Sequence, residues 1–440
     1  MINAEQRQQI LDEVRGINKG PRALMVYMDI CARCGTCAKV CHVAQANPDR
    51  HTNPAVRADH LRALYKRYGT LSGKILGGLV GADNHRFGDD ILEEWARDFY
   101  ECSGCRRCAQ FCPVGIDNSL ITRKGRAIVH KLGKTPKYIV KTQDISDQTG
   151  NDEGQSFAAF MEAVRFLREE MKEATGRDIK IPVDKKGADI LFVPASADLI
   201  SFPDTQIGSS MFFHVAGMDW TMSSAAFDGA NFGLFSGDDA HMKRKHKLIH
   251  DAMANLGCKT LVIGECGHAY RIAKRMAPGF WGTLPYQVTN ILELAAKFVR
   301  SGRVRLDPSK NPMRVTYHDP CNMARSLGIV EEPREVLRAC VQDFREMTPQ
   351  GAENWCCGGG GGLAVMDGQE GVGLLDGTFL DYRMKVGGAM KWQQIGATGA
   401  RYVAAPCSNC KRQLSQLMQY HKSDIEIGGV MDLFAKALVW

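Results

Sequence analysis

The sequence predicts a chain of mixed α+β and α/β class: a helical, cysteine-clustered N-terminal domain followed by a duplicated α/β region. Three observations carry this reading. Two tight cysteine groups, Cys31–Cys41 and Cys102–Cys112, lie near the start of the chain. Beyond residue 186 short apolar runs alternate with helical patterns, the texture of strands and crossover helices. Within that region two stretches also resemble each other. Residues 1–125 are therefore expected to form the cysteine-clustered domain and 126–185 a helical connector. Residues 186–305 and 306–440 are expected to form the two halves of the duplication.

Composition narrows the possibilities. A chain of 440 residues, 44% hydrophobic and 24% charged, is ordinary for a globular protein of several domains. Disorder, collagen and coiled coil are excluded as whole-chain descriptions. No run of about 20 apolar residues suits a bilayer span. The opening MINAEQRQQILDEVRG lacks the apolar core of a secretory signal, which points to a cytoplasmic protein. The net charge of +7 is too small to argue for nucleic acid. The unusual feature is 16 cysteines without an export signal, which favours metal binding over disulfides.

Taking the elements in order, the connector carries Phe157, Phe160, Met161, Val164 and Leu167 at helical spacing, which reads as core packing. Buried strands are expected at Asp189–Pro194, Thr260–Gly264, Arg314–His318 and Arg401–Ala405, and an amphipathic helix at Asn290–Arg300. In the duplication ILFVPAS (190–196) resembles VTYHDPC (315–321), with Pro194 matched to Pro320 and Ala195 to Cys321, and LVIGECGHA (261–269) resembles YVAAPCSNC (402–410). Asn231-Phe232 then falls opposite Cys356-Cys357. Five cysteines of the second copy match Ala195, Asn231, Phe232, Cys266 and Ala269 of the first. Only one of those is a cysteine, so one half is metal-competent.

Cys31-x2-Cys34-x2-Cys37-x3-Cys41 and Cys102-x2-Cys105-x2-Cys108-x3-Cys112-Pro113 are two copies of the bacterial ferredoxin spacing. Three thiolates on a short loop wrap three corners of a cubane, and in two-cluster ferredoxins the fourth cysteine serves the other cluster. Cys31, Cys34, Cys37 and Cys112 are accordingly expected to hold one [4Fe–4S] cluster, and Cys102, Cys105, Cys108 and Cys41 a second. Two zinc sites would need only pairs of C-x2-C units. His42 stands where the first motif often carries proline, a departure that does not touch the ligands.

Cys321, Cys356, Cys357, Cys407 and Cys410 form the other constellation. The strings TrpCysCysGlyGlyGlyGlyGly (355–362), HisAspProCys (318–321) and ProCysSerAsnCys (406–410) resemble the cysteine-rich CCG domain of heterodisulfide reductases. With the N-terminal domain, nearly the whole chain resembles the fused ferredoxin-plus-CCG iron–sulfur subunits of that superfamily (the HdrD, DsrK and TmcB type). The resemblance implies that these five cysteines hold a noncubane cluster, two smaller clusters sharing an iron and a sulfide. Spacing alone says that five thiolates converge on a soft, multi-metal site. Adjacent Cys356 and Cys357 suit two irons of an extended cluster. The glycines after them are expected to let backbone approach sulfide and to leave open space for a substrate.

The family's two-copy members carry two cysteine sets, whereas one noncubane cluster is expected here. Cys266 is then either a thiol facing the site or a core relic, while Cys258 and Cys340 read as core. His268 and His318 flank the constellation and either bond backbone or donate to sulfur. The basic runs Arg123–Lys141 and Lys243–Lys247 read as solvated faces or as a docking patch for an acidic carrier or the membrane.

No G-x-G-x-x-G or Walker motif is present, so no flavin or nicotinamide site is expected. The resemblance implies a disulfide-reducing catalytic subunit with Cys356 and Cys357 at the reacting centre, and the pseudo-symmetry of Cys266 with Cys407 adds Cys266 as a candidate beside them. Electrons would pass from the two [4Fe–4S] clusters to the noncubane one, cleaving or forming a disulfide or trisulfide. It further implies a membrane haem-b partner, a DsrC-like protein or small thiol disulfide as substrate, and a place at the inner face of the cytoplasmic membrane. The rival reading is an electron-transfer subunit of a flavin-dependent lactate, glycolate or glycerol-3-phosphate dehydrogenase. Such subunits typically retain both cysteine sets.

Overall fold

The computed structural model describes residues 2–48, 53–82, 88, 90–368 and 378–440. The chain forms two compact units. The first comprises Met1–Val140, Leu234–Asp238 and Gly358–Met390, and the second Lys141–Gly233, Asp239–Cys357 and Lys391–Trp440. Among the described residues no helix is long and apolar enough to cross a membrane.

Helices build the first unit. Asn3 closes a capping box on helix Ala4–Gly16, and Asn53 with Pro54 starts helix Pro54–Gly69. Helix Ile91–Tyr100 buries Leu92, Trp95 and Phe99 against helix Asn118–Lys131. The crossing is close because Gly125 has no side chain: a Cβ there would stand 2.3 Å from the Phe99 ring. One residue on, Arg126 is buried and donates to the carbonyls of Phe99, Cys102, Phe235 and Gly361. This one guanidinium ties the distant segments 234–238 and 358–390 into the unit. Burying it is tolerable because its donors are satisfied.

In the basic run 123–141 Lys131, Lys134, Lys137 and Lys141 are exposed, as expected of a solvated face, and only Arg126 is buried. Lys124 and Lys131 both pair with Glu13, and Lys134 with Glu93 at 2.6 Å. In the second run Lys245 is buried against Asp228 at 3.4 Å, and Arg244 and Lys247 pair with Asp147 and Asp251. Internal carboxylates use most of these cations.

Two four-stranded parallel sheets make the second unit. Strands β1 (Ile190–Val193), β2 (Trp220–Thr221), β3 (Thr260–Ile263) and β4 (Gln287–Asn290) lie in the order β2-β1-β3-β4. Strands β5 (Arg314–Tyr317), β6 (Asp343–Arg345), β7 (Tyr402–Ala404) and β8 (Glu426–Gly428) repeat it as β6-β5-β7-β8. The duplication is real at the level of topology. The four strands expected from sequence are the central pairs, whose apolar runs suit burial on both faces. The four edge strands escape a sequence reading because they are short and carry polar residues, as in Asp343–Arg345 and Glu426–Gly428.

Helix Phe157–Thr175 runs past the expected stretch and ends at Gly176 with φ +68°. Its inner face is Phe160, Val164, Leu167 and Met171, with Phe160 stacked on Phe227 at 4.3 Å. Phe157 and Met161, expected in the core, are 62% and 36% exposed. Their spacing of four puts them together on the helix's outer side.

A buried charged cluster joins the halves. Lys411, on helix Ser408–Tyr420, donates to Asp198 at 2.7 Å and to Thr205 at 2.7 Å. Thr205 in turn donates to Asp432 at 2.7 Å. Glu265 accepts from the backbone of Val430 and Met431, at the start of helix Val430–Ala437. Burial acts against charge on Lys411, but Asp198, Glu265 and Asp432 outweigh it and hold the ammonium protonated. One cation cannot balance three carboxyls. Burial pushes Glu265 up to about 8, with Lys411 opposing and Asp432 adding to the rise, so it is neutral at pH 7. Lys411→Met is expected to destabilise the second unit by about 3–5 kcal/mol, since Asp198 is left buried without its cation. Asp198→Leu/Lys411→Met should recover most of that loss. Denaturant unfolding followed by circular dichroism decides, and equal midpoints for single and double variants would refute the clamp.

Candidate metal centres

Both N-terminal cysteine loops fold the same way. Left-handed backbone falls at Arg33 and Gly35 in the first, and at Gly104 and Arg106 in the second. These are the same two positions of the spacing, and each loop runs into a one-turn helix, Thr36–Lys39 or Arg107–Gln110. Two reversals of handedness curl a short loop until its thiols point inward.

The fourth cysteine of each motif lies with the other loop. Burial pushes the Cys37 thiol up, and the neighbouring Cys31, Cys112 and Cys34 push it further. Cys108 is likewise raised well above its ordinary value by burial, then by Cys105, Cys102 and Cys41. The structure thus groups Cys112 with 31, 34 and 37, and Cys41 with 102, 105 and 108. No two of the sixteen cysteines, all of them among the described residues, form a disulfide. Four thiols gathered together is an arrangement that metal, acting as the shared counter-charge, makes favourable.

The surroundings of the second group fit a cluster. Its thiols line a small pocket together with His42 and Arg57. Burial acts against the Arg57 charge, yet Cys102, Cys41 and Glu101 outweigh it and raise its pKa. Its Nε and Nη1 are buried without an acceptor among the described residues. A four-thiolate cluster carries net negative charge and supplies what this guanidinium lacks. His42 stands 4.0 Å from Cys105 Sγ and 3.5 Å from Ser103 Oγ. From sequence it reads only as a missing proline.

The C-terminal constellation sits at the carboxyl ends of β5 and β7, where parallel sheets present their binding groups. Tyr317 pairs with Ala404, so Cys321 and Cys407 follow neighbouring strand ends and each meets the start of a helix. Cys357 and Cys410 bring their sulfurs to 3.3 Å. Hydrogen bonds from Cys356 and Cys410 hold the Cys357 thiol well below its usual range, with burial opposing and His318 assisting. A bond from Cys410 does the same for Cys407, again against burial and with help from His268. Cys321 is 8% exposed and Cys356 1%. The buried, mutually bonded sulfurs of this set suit soft, iron-rich metal.

Cys266 occupies the matching place in the first half. Its N–H bonds Gly264 O at 2.7 Å, and Cys407 N–H bonds Ala405 O at 2.7 Å. Burial raises the Cys266 thiol well above its ordinary value, and Cys407 raises it further. It lies near Cys407, the one member of the constellation that acts on it. His268 Nε2 accepts the Asn231 N–H at 3.3 Å, which assigns its proton to Nδ1, 3.5 Å from Cys266 Sγ.

His318 is set by residues the sequence reading missed. Lys391 donates to Asn354 Oδ1 at 2.5 Å, so the amide nitrogen faces Asp319 O at 2.7 Å and His318 Nδ1 at 3.5 Å. That leaves the ring proton on Nε2. A ring nitrogen of His318 lies within 4.8 Å of the Cys357 and Cys410 sulfurs. Burial pushes Lys391 down to about 7 despite Asp319 and the two adjacent thiols. Asn354 lies two residues before Cys356, a local hint, whereas Lys391 carries no local signal. Cys258 and Cys340 are buried at 8% and 0%.

The glycine run departs from expectation. A Cβ at Gly358 would meet the Gly387 carbonyl at 2.5 Å, and one at Gly360 would meet Ser103 O at 2.6 Å. At Gly361 it would meet Cys102 O at 2.7 Å. The missing side chains serve close packing beside the second cysteine loop, and do not open space for a substrate.

The family model of the 4Fe-4S dicluster domain matches residues 27–116, and that of the Cysteine-rich domain matches 315–415. An Hdr-like menaquinol oxidoreductase iron-sulfur subunit of Archaeoglobus profundus is 30% identical, over 98% of this chain and 83% of its own length. A second iron-sulfur subunit of the same name, from Archaeoglobus fulgidus, is 31% identical over the same shares. The D-type chain of a dihydromethanophenazine:CoB--CoM heterodisulfide reductase of Methanosarcina barkeri is 27% identical over 94% and 95%. No solved structure matches. With both domains present and near end-to-end similarity, the chain belongs to the heterodisulfide-reductase-like family of iron–sulfur, electron-transferring oxidoreductase subunits.

Proposed function

We propose that this chain is the iron–sulfur catalytic subunit of a membrane-associated redox complex that reduces, or in reverse forms, a disulfide or trisulfide. Two [4Fe–4S] clusters would be held by Cys31, Cys34, Cys37 and Cys112, and by Cys102, Cys105, Cys108 and Cys41. Cys321, Cys356, Cys357, Cys407 and Cys410 would hold one noncubane cluster. When bound, these groups supply one-electron transfer and, at the C-terminal site, iron with affinity for sulfur. The observation that carries the reading is the sixth buried thiol, Cys266, beside His268, which also bonds Cys407 of the five-cysteine set.

In the reductive direction one S–S bond breaks, two electrons enter, and each sulfur takes a proton. The chain's own part is to bury the site, to hold Cys357 and Cys407 towards thiolate, and to keep ring protons on Nδ1 of His268 and Nε2 of His318. The substrate is a small thiol disulfide or a DsrC-like protein sulfur. The relatives' names, a menaquinol oxidoreductase and a heterodisulfide reductase, support a partner that exchanges electrons with a membrane carrier. A haem-b membrane protein fits that role, with this chain peripheral at the inner face.

Anaerobically purified protein should contain roughly twelve irons per chain, at four per cluster. Cys112→Ser should perturb the cluster of Cys31, Cys34 and Cys37, and Cys41→Ser that of Cys102, Cys105 and Cys108. Iron near eight with zinc present would sink the five-cysteine assignment.

Cys357→Ser is expected to abolish disulfide turnover while both N-terminal clusters remain reducible. Electron paramagnetic resonance after adding thiol product should give a new signal in the parent protein and none in this variant. If the signal persists, substrate binds elsewhere. Cys266→Ala should lower turnover by about two or more orders of magnitude with iron unchanged if its thiol takes part. Unchanged turnover would make Cys266 a packing residue.

A further inference from the structure

Helix Leu71–Leu76 and the following turn Gly77–Val80 double back on the end of helix Pro54–Gly69. The reversal is tightly built. Lys66 Nζ donates to Val80 O at 2.8 Å, and Thr70 bridges Lys66 O at 2.8 Å to Gly73 N at 3.1 Å. A Cβ at Gly73 would stand 1.9 Å from Lys66 O, so only glycine lets the helix seat this closely. The segment is a fixed projection.

Its outward face is apolar. Leu71, Ile75, Leu76 and Leu79 are exposed at 74%, 72%, 48% and 90%. Leu71 and Ile75 lie one helical turn apart, and Leu79 follows on the 3-10 turn beyond Gly77, whose φ of +52° ends the helix. Single exposed leucines are ordinary, but four together on a rigid projection mark an interaction surface. Lys74 is exposed among them, and Lys66 and Arg67 are half-buried at the base. From Leu61 to Ala82 the charged residues are Arg62, Lys66, Arg67 and Lys74, with no acid. The preceding acid, Asp59, is already paired with Arg62 and Arg33.

We propose that this projection is a wedge that seats the first unit on an anionic lipid surface. The four apolar tips would enter the headgroup–acyl boundary, and Lys74 and Arg67 would meet lipid phosphate. Two features favour lipid over a protein partner. Four side chains on a ten-residue projection fall well short of the roughly 800 Å² per partner of a stable protein interface. A mainly cationic flank, bounded in sequence by Asp59 and Asp83, complements a uniformly anionic plane. The inference stands apart from the disulfide chemistry: either can fail while the other holds.

The test is flotation of the cluster-loaded full chain with two kinds of vesicle. One is phosphatidylcholine alone, and in the other phosphatidylglycerol replaces one lipid in three. Binding is expected to the second kind only, and to weaken as salt is raised. Leu71→Ser/Ile75→Ser/Leu79→Ser should lower the bound fraction about tenfold or more with iron content and circular dichroism unchanged. Ile75→Trp should shift its emission to the blue on the anionic vesicles. Equal binding by the serine variant and the parent would overturn the proposal, as would an unshifted tryptophan. Self-association of the parent that the serine variant loses would assign the projection to a second copy instead. Binding only to vesicles bearing an integral membrane protein, whatever their lipid charge, would assign it to that protein.

Discussion

The buried ion pair between Lys411 and Asp198 is the constraint on which the C-terminal site depends. Their side chains are 0% and 1% exposed, and Ser408 adds a second donor to Asp198 at 3.1 Å. Lys411 directly follows Cys410 in sequence, and Glu265 directly precedes Cys266. The residues that lock the halves together are therefore neighbours of sulfurs at this site. A shift of one half would move Cys266 away from Cys407. Burying this much charge is costly, and protonation of Glu265 lowers the excess of carboxylates over Lys411 from two to one.

The cysteine-poor first half keeps its shape by other means. Asp228 accepts from the N–H groups of Ser196 at 3.1 Å and Ala230 at 2.9 Å. These loops correspond to the ones that carry Cys321 and Cys356–Cys357 in the second half. Asp228 also meets Lys245, and Ser196 donates to Asp152 at 2.7 Å. A hydrogen-bonded carboxylate thus cross-links loops that a metal centre would tie in the other copy. In the second half Asp319 does a related job, pairing with Arg334 and accepting from Gly351 N at 2.8 Å.

In the first unit the corresponding problem is to gather many thiols without letting them repel one another. Left-handed turns aim them, and Arg57 and Arg126 bring buried positive charge to the second loop. Arg126 works through backbone carbonyls, so it shapes the loop itself; Arg57 faces the sulfurs. Arg126 belongs to the acid-free run that reads from sequence as a solvated face, yet the packing needs it inside.

Much of the chemistry was legible in the amino-acid sequence. Cysteine spacing is local, and a ligand loop needs only a handful of adjacent residues, so the three cysteine groups, the central strands and the duplication could all be read directly. The glycines after Cys357 were legible as a signal but not as a function, because what a missing Cβ allows depends on which backbone arrives. The edge strands, the Lys391–Asn354–His318 chain and the clamp of Lys411 with Asp198 join residues dozens to hundreds of positions apart. Burial decides whether such a lysine is a solvated charge or the centre of a site, and burial is a property of the packed chain alone.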